Sequence, residues 1–80
     1  MSRKWGYKYN QNTIIVKNTI NSETLSVNGE LQDKKTGIAF RSELTGKLPS
    51  REEIKVVLGG NLTIQCSLFV DNKLLMPEQN

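Results

Sequence analysis

Apolar and polar side chains alternate along most of this chain, the period-two signature of extended strands with one buried face. Trp5, Tyr7 and Tyr9 fall on one side of the segment Lys4 to Tyr9, and Lys4, Gly6 and Lys8 on the other. After the polar turn at Asn10-Gln11-Asn12, Ile14 and Val16 share a face within Thr13 to Lys17, and Glu23 to Val27 forms a third strand. Ile64, Cys66, Leu68 and Val70 alternate with Gln65, Ser67 and Phe69, continuing the apolar series from Leu62. A short last strand, Lys73 to Met76, stops at Pro77.

Between these lie the less regular segments. Asn28-Gly29 is the strongest hairpin signal in the chain. A two-residue loop sets Val27 against Glu30 and Ser26 against Leu31, an apolar residue opposite a polar one twice. A three-residue loop with left-handed Gly29 pairs Leu25 with Leu31 and Ser26 with Glu30, so matching of apolar faces predicts the bulged loop. Asp33 to Gly37 reads as a polar turn, and Gly37 to Thr45 as a strand with Ile38, Phe40 and Leu44 inward. Residues 50–58 fit two readings. Ser50 with Glu53 makes a capping box ahead of helically spaced Ile54, Val57 and Leu58. Ile54, Val56 and Leu58 equally fit a strand, and the β-branched pair Val56-Val57 favours it. The predicted architecture is a single all-β domain over residues 1–80, an antiparallel β-sandwich of about eight short strands. The alternatives are a small β-barrel, or an α+β fold with a short helix at 50–58.

Composition supports the strand reading. The β-branched Val, Ile and Thr number 17, and alanine appears once in 80 residues. It also narrows the chemistry. With no histidine, Ser-His and Cys-His nucleophilic pairs and His-bearing zinc sites are excluded, and one cysteine excludes an internal disulfide and a multi-cysteine metal site. No cofactor loop is present, since Gly59-Gly60 lacks the lysine and following helix of a phosphate cradle. The unpaired Cys66 suits a reducing, cytoplasmic compartment, and Met-Ser-Arg-Lys-Trp lacks the apolar run of a secretory signal. No apolar stretch approaches the ~18–20 residues of a membrane span.

Charge placement says more than the net value of +3. Residues 1–17 hold Arg3, Lys4, Lys8 and Lys17 and no acid, whereas residues 18–80 hold seven basic and eight acidic side chains. These four cations are the candidate contacts for an anionic ligand or nucleic acid. The competing reading is a set of solvated lysines that blunt an edge strand. Basic residues interleaved with aromatics form a stacking platform for single-stranded nucleic acid when the rings are exposed. Here Trp5, Tyr7 and Tyr9 share the face opposite Lys4 and Lys8, which predicts burial of the rings instead. Glu53-Ile54-Lys55, with Asp33, matches part of a metal-dependent nuclease motif, but an exposed cross-strand charge pattern accounts for it as well. Cys66, between Ile64 and Leu68, reads as core.

Several of these segments together resemble the domain of the Fas apoptotic inhibitory molecule family. Trp5 with its alternating aromatics, Leu25-Ser26-Val27-Asn28-Gly29, Phe40 with Leu44 and Gly46, Ile54-Lys55-Val56 and Leu68-Phe69-Val70-Asp71-Asn72-Lys73 carry the resemblance. It implies an antiparallel β-sandwich and a strand at 50–58. The chain departs from the family in holding one such domain rather than two, and in lacking glycine at Asn72-Lys73, so the family's activities are not carried over. The expected function is that of a non-enzymatic module, binding a protein partner or its own copy through a sheet edge or a loop face. The terminal strands are the expected edges. The alternative is a single-stranded nucleic-acid binder built on the basic N-terminal strands.

Overall fold

The computed structural model describes residues 2–37, 41–60 and 63–78. They form eight strands and, among the described residues, no helix: β1 (Arg3–Tyr9), β2 (Asn12–Asn18), β3 (Ser22–Val27), β4 (Glu30–Thr36), β5 (Arg41–Lys47), β6 (Glu53–Gly59), β7 (Gln65–Val70) and β8 (Lys73–Leu75). All ladders are antiparallel, and each joins strands consecutive in sequence. Two four-stranded meanders result, β1-β2-β3-β4 and β5-β6-β7-β8, packed face to face as a sandwich rather than a closed barrel. The expected inward positions Ile38, Phe40 and Leu62 lie outside the described residues.

The alternation in the sequence becomes the core. Tyr7, Ile14, Val16, Leu25, Leu44, Val56 and Leu68 are fully buried between the sheets. Trp5, Tyr9, Ile64 and Cys66 pack against them at the margin. The one buried charged side chain among the described residues is Glu23, whose carboxylate accepts a 2.7 Å hydrogen bond from the Ser42 hydroxyl across the sandwich.

Three of the hairpins are two-residue turns with both central residues at positive φ: Asn10-Gln11 (47° and 67°), Asn28-Gly29 (51° and 85°) and Asp71-Asn72 (49° and 68°). That is the type I′ signature, whose twist matches the flanking strands. The β3–β4 hairpin therefore departs from the bulged loop expected from apolar matching. Val27 faces Glu30 and Ser26 faces Leu31. Asn28 locks the tight turn through its own side chain, accepting from the Thr13 amide at 2.9 Å and donating to the Asn12 side chain at 2.9 Å. The extra residue appears further along, where the register shifts between Leu25 and Ser26 so that Leu25 faces Asp33 and Gln32 is left over.

Two other segments resolve against or between expectations. Asp33 to Gly37, expected as a turn, is mostly strand: β4 continues to Thr36 as a polar edge held by the β3 backbone. Residues 53–59 are strand rather than helix. The capping box does not form, because Ser50 donates to the Glu52 carboxylate and the Glu53 amide donates to Asp71 Oδ1 at 2.9 Å.

Side chains, more than backbone ladders, close the two sides of the sandwich. On one side the β4 bulge aims two acceptors at the open edge of β5. Asp33 Oδ2 takes the Thr45 amide at 2.9 Å and Gln32 Oε1 takes the Lys47 amide at 3.3 Å. Gly46 sits between these two amides. A Cβ there would lie 2.9 Å from Gln32 Cβ and 3.1 Å from Leu25 Cδ2, so the close approach of β4 depends on the missing side chain. On the other side the Glu78 amide donates to the Gly6 carbonyl of β1 at 2.7 Å.

Candidate protein-binding face

Register places each predicted cation. Lys4 lies directly opposite Lys17, and Lys8 opposite Thr13, all on the outer face of the first sheet. The ladder continues from Lys17 to Thr24 and from Thr24 to Lys34, so one row across the four strands reads Lys4, Lys17, Thr24, Lys34. Lys34 belongs to this face and was hidden in the sequence by the polar segment 33–37. The parallel row reads Gly6, Ile15, Ser26, Leu31. The outer face of the first sheet thus carries four lysines and no carboxylate.

Arg3 does not join them. It shares the parity of Trp5 and Tyr7, its guanidinium stacks 4.9 Å from the centre of the Trp5 ring, and its Nη1 donates to the Ile64 carbonyl at 2.6 Å. It ties β1 to the segment before β7. The rings of Trp5, Tyr7 and Tyr9 face the core side, with Tyr7 fully buried, so none of them forms a stacking platform beside the lysines.

The second sheet is built differently on its outer face. Lys55 lies 3.9 Å from Glu43, and Lys47 is paired in register with Glu53. Cations and anions are interspersed there, the usual arrangement of a solvated surface. On the first sheet, Lys4 and Lys17 face each other with no acid on that face, and like charges directly opposite destabilise a sheet by about 0.2–1 kcal/mol. Neighbouring strands are ~5 Å apart, inside the ~8 Å screening length of physiological salt. The fields of Lys4 and Lys17 therefore add, and Lys34 stands two strands further on in the same row.

The remaining candidate chemistry has structural occupations. Both carboxylate oxygens of Asp33 accept backbone amides, from Lys34 and Thr45. No group of three or more metal-ligating side chains is gathered among the described residues. The Tyr7 hydroxyl donates to Cys66 Sγ at 3.2 Å. Burial pushes the Tyr7 hydroxyl and the Cys66 thiol above their ordinary values, although the Tyr7 hydrogen bond and Arg3 pull the thiol partly back. A thiol held protonated is a poor nucleophile. Among the described residues no helix is long and apolar enough to cross a membrane. No protein-family model, curated protein or solved structure matches the chain.

Proposed function

We propose that the protein is a non-enzymatic interaction module that binds an acidic protein partner through the outer face of β1–β4. The carrying observation is the segregation of charge: four lysines without a carboxylate on the outer face of one sheet, mixed signs on the outer face of the other. A face, rather than a sheet edge, is the surface the geometry favours. The β5 edge is covered by Gln32 and Asp33, the β1 edge is contacted by the Glu78 amide, and β8 is only three residues long. An acidic protein is favoured over single-stranded nucleic acid because the aromatic rings that would stack on bases turn inward.

The test is binding of fluorescent poly-glutamate and of an oligothymidylate at low salt, to wild type and to Lys17→Glu. Salt-sensitive binding of poly-glutamate that Lys17→Glu removes is the expected result. The same substitution replaces a like-charge pair with an opposite-charge pair facing Lys4. Its urea midpoint is expected to rise, by about 0.2–1 kcal/mol of stability, while binding falls. Tighter binding of the oligothymidylate would transfer the surface to nucleic acid. Indifference to both anions would reject it.

A further inference from the structure

The outer face is also shaped. On β3 the outward residues Thr24 and Ser26 are small and only partly exposed, while their row neighbours on β2 and β4 are larger: Lys17 and Lys34 beside Thr24, Ile15 and Leu31 beside Ser26. Strands two apart stand about 10 Å from each other. The register therefore makes two adjoining seats along β3. One is floored by Thr24 between two lysines, the other by Ser26 between two apolar residues. Leu31 is 60% exposed, and it faces out because the tight Asn28-Gly29 turn overrides the register that would have buried it against Leu25.

Resting on the acidic-partner reading above, we infer that the partner supplies an extended segment of the form acidic–any–apolar, laid along β3. The carboxylate sits over Thr24 between Lys17 and Lys34, and the apolar side chain over Ser26 between Ile15 and Leu31. Residues two apart on an extended chain are ~6.6–6.8 Å apart on one face, the same as the separation of Thr24 and Ser26 along β3, so both seats fill at once. Lys4, next to Lys17, extends the field that draws the acid in. Lys8, whose Nζ donates to Thr13 Oγ1 at 2.7 Å, holds a cation beyond Ile15 on the same face. The recognition is of side chains on a sheet face, and no backbone strand is added to an edge.

The experiment compares two labelled peptides, repeats of Glu-Thr-Leu-Thr and of Glu-Thr-Ser-Thr, on wild type, Leu31→Thr and Lys17→Glu, with circular dichroism to verify folding. Wild type is expected to prefer the leucine peptide by about tenfold, the worth of one partly buried aliphatic side chain. Leu31→Thr is expected to erase that preference and leave the serine peptide's weak binding unchanged, while Lys17→Glu lowers both. Equal affinity of the two peptides for wild type, or a preference that survives Leu31→Thr, overturns the apolar seat and leaves the acidic-partner reading standing. Failure of both peptides and of poly-glutamate to bind wild type overturns the acidic-partner reading itself.

Discussion

Gly46 shows how one missing side chain decides the contact between two sheets. Its β5 backbone lies against Gln32 and Leu25 so closely that a methyl group has no room. Gly46→Ala is expected to cost about 1–3 kcal/mol, the range for overpacking, read as a lower urea midpoint. A second residue-scale consequence concerns pH. Cys66 and Tyr7 are neutral in the fold, and burial raises both above their ordinary values. A group raised in the folded state contributes its full stabilisation below its unfolded pKa and loses it as pH climbs through the folded one. Stability should therefore hold at neutral pH and begin to fall above ~8.5, the ordinary thiol range, with tyrosine adding its loss above ~10. Urea titrations at stepped alkaline pH check this. In Cys66→Ala the decline should start later, in the tyrosine range alone.

At the scale of elements, most strands with a buried face are legible, β6 fits a helix as well as a strand, and the polar edge is not legible. β1, β2, β3 and β7 each place apolar residues at alternate positions against the core, and that periodicity survives in the sequence. Most of β4 is exposed, so nothing buried imposes a period on it, and its polar stretch reads as a turn. Its register was missed for a different reason. Matching of apolar faces is a long-range preference, but Asn28 and Gly29 can both take positive φ, and that local choice won. The candidate face divides in the same way. Lys4, Lys8 and Lys17 follow from parity, and parity also separates Arg3, which falls with Trp5 and Tyr7. Lys34 required the bulge to be located first. The bulge also gives β4 its structural task, and removing Asp33 tests it. Asp33→Ala should lose about 1–2 kcal/mol and leave the Thr45 amide unpaired at an open edge. Sedimentation should then show concentration-dependent association absent from wild type.

For the whole molecule, the two sheets divide the labour. Both inner faces bury apolar side chains, with the aromatics on the first sheet, while their outer faces differ in charge. That difference emerges only when the rows of β1–β4 are assembled, because the four lysines are spread over residues 4–34 and two of them, Lys17 and Lys34, lie two strands apart. Net charge understates it, since Glu23, Glu30 and Asp33, which fall on the opposite parity of the same sheet, offset cations of its outer face.

The connection from β4 to β5 links the last strand of the first meander to the first strand of the second. A break there severs none of the ladders between described residues. Residues 1–37 and 41–80, produced as separate polypeptides, should each be poorly ordered alone, with a naked oily side. Mixed, they should regain the amide spectrum of the intact chain, joined by the shared interior and by the Asp33 and Gln32 contacts to β5. The fold is in that sense genetically divisible, and either half can be relabelled, mutated or exchanged while its complement is left untouched.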